Sequence, residues 1–330
     1  MQQKIGVLIV NLGTPLSPSA RDIRRYLKSF LSDPRVVEIP RLVWWFILNV
    51  IILNLRPKKV AVLYKKIWGV DGSPLRVNTL NLLENLKDLA AAEPIPATLA
   101  FEGAMTYGEP SMLAALAHFQ QQSIDNIIVI PLFPQFSATT QGPVFDQLFA
   151  FYKCKRNIPA LFLLRDFSSD DFFVEVLANH IKRFREVHER PDLLVFSFHG
   201  IPQGYVDKGD PYFDRCKQTA LLLVEKLGLR EDEWTIAFQS RFGRTPWLQP
   251  YLFEVLPMLP KKGIKKIQII CPGFLSDCLE TLEEINVESR HLFLEAGGEC
   301  FEYIPCLNDS VEFSSMLWGK IKKITTAFLA

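Results

Sequence analysis

The chain has 330 residues, 48% of them hydrophobic, and a formal net charge of +1. That length supports a sizeable core and two domains more readily than one, and the near-neutral balance gives no electrostatic case for nucleic acid or a strongly acidic partner. Cys154, Cys216, Cys271, Cys278, Cys300 and Cys306 stand far apart with no C-x-x-C pair, which argues against a zinc ribbon or a disulfide framework and points to a reduced, cytoplasmic compartment.

The N-terminal apolar run lacks a basic flank and a small-residue cleavage site, so it reads as a strand and not as a signal peptide. Ile5–Leu12 ends in Gly13-Thr14-Pro15, the pattern of a parallel strand buried on both faces. A helix is expected over 19–31. The longest apolar stretch, Leu42–Leu55, follows, with Arg56, Lys58 and Lys59 directly after it. It is too short to span a bilayer and carries Asn49 and Asn54, so no transmembrane helix is expected. Next come a helix (78–92), a strand (97–103), a helix (111–122), a strand (126–133), a helix (143–153) and a strand (160–164). The pattern then restarts, with helices over 172–189, 212–227, 248–259, 278–296 and 310–330. They are separated by strands over 192–198, 234–240, 265–272 and 300–305.

Strands alternating with helices at this spacing imply βαβ units and parallel sheets. Right-handed crossovers place helices on both faces of each sheet. The expected fold is α/β: two similar Rossmann-like domains, residues 1–165 and 166–330, each a four-stranded parallel sheet flanked by helices. The last helix is free to pack back on the first domain.

No G-x-G-x-x-G follows a strand, and no phosphate-binding G-x-x-x-x-G-K-[ST] or G-x-S-x-G elbow occurs. The strand 192–198 runs straight into His199-Gly200. In an open α/β sheet, ligands sit outside the carboxyl ends of the strands, so His199 is either a satisfied structural histidine or a chemical group. Past a later strand, Asp277, Glu280, Glu284 and Glu288 are spaced by three, four and four residues. On a helix that spacing puts them on one face, either as a solvated acidic face or as a row of hard oxygen ligands relaying a cation or protons. His199 and Glu280 both fall past strand ends of the same domain, where they can share one site. Imidazole and one carboxylate are too few for a closed metal site, and suit transient handling of Fe²⁺ or Zn²⁺.

FSFHGIP followed by GDPY, then QSRFGRTPWLQP (Gln239–Pro250), then PGFLSDCLETLEE carries a resemblance that NLGTP and FPQFSATTQG (Phe133–Gly142) extend. The chain resembles the ferrochelatases, lyases that insert Fe²⁺ into protoporphyrin IX with release of two protons, the terminal step of bacterial haem biosynthesis. The likeness covers essentially the whole chain. It implies a chelatase-like fold with the porphyrin held between the domains. It also implies that His199 is the catalytic histidine and that Glu280, in the S-D-x-x-E-T pattern, is the metal-site glutamate. Asp277, Glu284 and Glu288 then extend a relay along an acidic helix that in this family often contains a π-type turn.

Metal insertion needs a base for the pyrrole protons, and a histidine side chain, whose ordinary pKa is about 6.5, serves near neutral pH. A flat apolar macrocycle needs aromatic walls, for which Leu12, Tyr107, Trp247 and Phe274 are candidates against ordinary core packing. Thr106 stands where the family often has an arginine, so a charge-assisted propionate contact is missing there or comes from elsewhere, with Arg56, Lys58 and Lys59 as substitutes. The stretch 42–55 is either a buried helix or a hydrophobic lip whose Trp44 and Trp45 touch a membrane surface, giving a peripheral contact at the inner face. No cofactor is expected to be tightly bound, iron being a substrate. No cysteine follows Cys306 and Ala138 occupies a position that is sometimes Cys, so no [2Fe–2S] cluster is expected. A porphyrin carrier without turnover and a cobalt chelatase on a related fold are the competing readings.

Overall fold

A computed structural model describes residues 3–329. The chain forms two compact units. One comprises the chain up to Phe133, Ser137–Arg165 and the stretch from Asp309 onward; the other comprises Pro134–Phe136 and Asp166–Asn308. Each holds one four-stranded parallel sheet, the α/β architecture expected.

In the first unit the elements run β1 (Gln3–Asn11), α1 (Ala20–Leu31), α2 (Arg41–Phe46), α3 (Leu53–Ile67), α4 (Pro74–Ala92), β2 (Ala97–Met105), α5 (Met112–Gln121), β3 (Asn126–Pro131), α6 (Gln141–Tyr152) and β4 (Ala160–Leu163). The sheet order is β2-β1-β3-β4. β1 is central and buried from Ile5 to Asn11, which is why its apolar run does not alternate. Leu8, Val10, Ala104, Phe119, Val129 and Leu148 share one core, each large side chain contributing roughly 1.5–3 kcal/mol on burial. Ser19 caps α1 by accepting from the Asp22 N–H at 3.2 Å.

The segment after α1 departs from the simple helix expected. α2 passes into a π-helix, Ile47–Ile52, and then into α3. Looser i→i+5 bonding displaces carbonyls from their usual partners. Here Asn49 Nδ2 donates to the Trp45 carbonyl and Asn54 Nδ2 to that of Val50, both at 2.8 Å. α3 was not anticipated because Pro57 lies inside it. Proline has no N–H for the carbonyl four residues back, and Arg24 Nη1 fills that vacancy by donating to the Leu53 carbonyl at 2.5 Å. Trp44 is buried at 5% exposure with its indole donating to the Leu31 carbonyl. Leu42, Trp45, Phe46 and Leu55 are 88%, 63%, 57% and 64% exposed. The expected pairing of Trp44 with Trp45 on a lip is therefore corrected: Trp44 anchors the segment and Trp45 is presented. No helix among the described residues is long and apolar enough to cross a membrane.

The second unit runs α7 (Asp171–Glu186), β5 (Leu193–His199), α8 (Gln203–Asp207), α9 (Tyr212–Leu227), β6 (Trp234–Gln239), α10 (Leu252–Val255), β7 (Lys266–Ile270), a π-helix (Glu280–Ser289), α11 (Arg290–Glu295) and β8 (Cys300–Tyr303). The sheet order is β6-β5-β7-β8. The helix expected over 248–259 shrinks to α10 followed by 3₁₀ turns at Leu256–Met258 and Pro260–Lys262, because Pro257 and Pro260 cannot continue an α-helical ladder. The last helix, α12 (Val311–Leu329), belongs to the first unit. Asn85 Nδ2 donates to the Asp309 carbonyl at 2.8 Å and the Trp318 indole donates to Glu93 at 3.0 Å.

Candidate active site

The order β6-β5-β7-β8 reverses direction between β5 and β7, so a crevice opens beyond their carboxyl ends. β5 delivers His199 there as its last residue, half-buried. His199 Nδ1 lies 2.6 Å from the Gly200 carbonyl. A carbonyl can only accept, so Nδ1 carries the hydrogen and Nε2 keeps its lone pair in the neutral ring. Gly200 lets the chain pass closely at the next position: a Cβ there would stand 3.0 Å from the Gln239 carbonyl oxygen and 3.1 Å from the Trp247 ring, closer than ordinary contact. The Trp247 and Phe274 rings flank the imidazole with centroids 6.4 Å away. Trp247 is held by a bridge to Pro202, and its indole N–H is buried with no hydrogen-bond partner among the described residues.

After β7 the chain turns through Phe274 and enters the π-helix at Glu280. Glu284 is gripped from β6. The Ser240 N–H and Oγ–H donate to its carboxylate at 2.7 and 2.5 Å, and Gln239 Nε2 donates at 3.4 Å. Ser240 adopts a left-handed backbone, φ 63°, a strained state for a residue with a Cβ, of the kind that clusters at functional sites. Gln239 is oriented by Ser197, whose hydroxyl donates to its carbonyl at 2.8 Å, and its amide also donates to the Glu280 carbonyl at 3.1 Å. Burial pushes the Glu284 carboxyl above the ordinary range; the Ser240 hydroxyl and the His199 charge pull it down, and Glu280 pushes it up. Glu284 therefore stands within electrostatic reach of both His199 and Glu280.

The carboxylates expected as one row split into different roles. Asp277 precedes the helix and is buried. Its oxygens accept from Tyr303 Oη at 2.5 Å, Thr281 Oγ1 at 3.0 Å and Asn308 Nδ2 at 2.8 Å. Both oxygens are committed to holding the turn, so Asp277 is corrected from relay ligand to structural anchor. Glu280 and Glu284 are half-buried and Glu288 is exposed. The likeness implied a π-type turn, and a full π-helix from Glu280 to Ser289 is present. Glu283, which the spacing argument passed over, is buried. Gln239 and Ser240 were missed as named site residues, although their strand neighbours β5 in register, Gln239 opposite His199. Among the described residues, no group of three or more His, Cys, Asp or Glu side chains is arranged to hold a metal ion.

In the first unit, Leu12 follows β1 half-exposed, its carbonyl accepting from the Tyr107 N–H at 2.8 Å. Gly13, at φ 113°, is needed because a Cβ would fall 1.8 Å from the Tyr107 carbonyl oxygen. Tyr107 is buried, donates to Asp33 Oδ2 at 2.9 Å and packs edge-on to Phe30. Burial, aided by Asp33, pushes its phenol well above the ordinary range. The ring is thus spent on packing, not offered as a wall. Thr106 is also buried, donating to the Asn11 carbonyl at 3.2 Å.

The ferrochelatase family model matches residues 4–324. The chain belongs to the ferrochelatase family. The ferrochelatase of Psychrobacter arcticus is 47% identical over 306 residues, 92% of this chain and 90% of that protein. That of Cronobacter sakazakii is 47% identical over 314 residues, 95% of this chain and 96% of that protein. Among solved structures, SirB from Bacillus subtilis with Fe³⁺ has a TM-score of 0.58 at 14% identity, covering 97% of this chain and 95% of that one. At that identity the likeness is one of fold. Ferrochelatases are lyases acting in haem biosynthesis, and a reaction that inserts a metal with loss of protons matches a site that sets an imidazole beside carboxylates.

Proposed function

We propose that the crevice beyond β5 and β7 is where this ferrochelatase inserts Fe²⁺ into protoporphyrin IX to give protohaem, with His199 as the base and Glu280 as the metal-site carboxylate. The observation that carries this is the fixed imidazole: Nδ1–H is committed to the Gly200 carbonyl, and Nε2 is left to take a pyrrole proton. The imidazolium so formed is stabilised by the nearby Glu284. The raised pKa of Glu284 lets it share the proton and pass it along the π-helix toward the exposed Glu288. Trp247 and Phe274 supply aromatic contact to the macrocycle beside the base, and Leu12 stays a porphyrin candidate of the first unit by its motif. Iron enters this reading as a substrate.

Mixing the purified protein with Fe²⁺ and protoporphyrin under anaerobic conditions is expected to quench porphyrin fluorescence with multiple turnovers. Stoichiometric binding with no turnover would make it a carrier instead.

The same reading places the protein in the cytoplasm, docked peripherally at the inner membrane face. Support comes from the exposed Leu42, Trp45, Phe46 and Leu55 beside exposed Lys58 and Lys59, an apolar ridge with a cationic flank. In liposome flotation with anionic vesicles, Trp45→Ser with Phe46→Ser is expected to reduce recovery several-fold while leaving Trp44 in place. Equal recovery of variant and wild type counts against docking.

A further inference from the structure

A second cavity lies in the second unit at the opposite edge of the sheet from His199. Its volume is about 310 Å³ and its lining is Arg185, Arg190, Pro191, Leu227, Gly228, Leu229 and Glu233. Pro191 lies just ahead of β5 and Glu233 just ahead of β6, so the cavity is separated from His199 by the length of β5, roughly 20 Å at the usual strand rise. None of the chemistry assigned above uses it.

Its electrostatics are unbalanced. Arg185, in the last turn of α7, is half-buried. Its Nε donates to Gln268 Oε1 at 2.9 Å, and among the described residues no carboxylate stands within ion-pair distance of it. Gln268 is fully buried and cannot turn away, because its Nε2 donates to Glu302 at 2.8 Å and to the Glu189 carbonyl at 3.2 Å. Arg185 is thus held rigidly by a neutral amide, with its remaining N–H groups uncommitted. Burial pulls its pKa below the ordinary arginine value, and the charge of Arg190 adds to this. Arg190 pairs with Glu233 across the lining. Glu233 also receives Arg230, through its N–H at 2.9 Å and its guanidinium at 3.5 Å, and Arg230 further pairs with Asp232 at 3.1 Å. Of the charged side chains that line the cavity, two are guanidinium groups, Arg185 and Arg190, and one is a carboxylate, Glu233, and the surplus cation is the one less exposed to water. The C-terminal end of α9 brings about half a negative charge to the rim, which offsets part of that surplus and not all of it.

A rigid guanidinium beside a mobile one, over a cavity that takes only a small molecule, suits an oxyanion gripped by several N–H groups. We propose that this cavity is a binding site for a phosphate-type oxyanion, either inorganic phosphate or a phosphomonoester. Arg185 is its fixed donor. Arg190 swings from Glu233 to close on it.

The test is titration of the full chain with inorganic phosphate in phosphate-free, low-salt buffer, by calorimetry or ³¹P line broadening, with glycerol 2-phosphate in parallel to separate the free ion from an ester. Saturable binding is expected to weaken by at least about tenfold in Arg185→Gln, the loss of one charged donor. It is expected to weaken less in Arg190→Gln, whose exposed side chain makes the variant safe for folding. Glu233→Gln, which frees Arg190, is expected to tighten it several-fold. The proposal is overturned if neither phosphate species binds the wild type saturably, or if Arg185→Gln and Arg190→Gln both bind as the wild type does. Citrate binding without phosphate binding also overturns it.

Discussion

Iron insertion by a His199→Ala variant is expected to fall by about 10²–10⁴-fold, the usual contribution of a positioned general base. The loss should be in turnover and not in porphyrin affinity, because the Trp247 and Phe274 rings that flank the imidazole remain. Folding should also survive. His199 is the last residue of β5, half-buried, and among the described residues its side chain hydrogen-bonds the adjacent Gly200 carbonyl alone, so alanine orphans one acceptor at the rim of a solvated crevice. Added imidazole is expected to restore part of the rate, since a diffusible base can occupy the space vacated beside the two rings. Measured turnover within a few-fold of wild type would remove His199 from the base role, leaving Glu284 as the remaining candidate, with its carboxyl raised by burial.

His199 was legible because strand periodicity and a sheet-edge rule locate it without any knowledge of side-chain contacts. The run from Leu193 to Phe198 is buried throughout, and a run of that length that is apolar at every position but Ser197 fits a central parallel strand. The same reasoning recovered the other strands of both sheets. The errors fall where local spacing competes with tertiary contacts. Asp277 looks periodic with Glu280, but regular spacing has meaning only inside a helix, and the helix begins after it. Its partner Asn308 lies 31 residues on, beyond any local pattern. Trp44 and Trp45 are neighbours on a helix, so about 100° of rotation sends one inward and the other outward; two adjacent tryptophans cannot both be read as presented. α3 was hidden by Pro57, whose cost is relieved by Arg24 from another helix, again a contact at long sequence separation. Gln239 and Ser240 could have been found by a simple rule: a polar pair ending the strand that neighbours the His199 strand shares its edge.

The reassignment of Asp277 makes a prediction opposite to that of a relay ligand. Asp277→Ala removes the acceptor for three donors, the buried Tyr303 and Thr281 hydroxyls and the half-buried Asn308 amide. The Tyr303 hydroxyl can turn toward Cys306 Sγ, 3.4 Å away, and the Thr281 hydroxyl toward the Cys278 carbonyl at 3.3 Å. A hydrogen bond to a charged group contributes about 1.5–3 kcal/mol and weaker partners recover part of each, so the variant is expected to lose about 2–4 kcal/mol in urea unfolding. Asp277→Asn keeps one acceptor oxygen but points an amide N–H₂ at a donor, and is expected to lose about half as much. At a temperature where both variants are folded, iron insertion by Asp277→Asn should stay within a few-fold of wild type, because neither oxygen of Asp277 is available to a passing cation in the folded chain. A relay ligand would behave the other way round, with stability nearly unchanged and turnover lost. The two measurements together therefore decide whether the acidic path begins at Asp277 or at Glu280, the first carboxylate on the π-helix. Beginning at Glu280 confines the path to one helix, and it leaves Asp277, Thr281, Tyr303 and Asn308 as the clamp that sets where that helix starts.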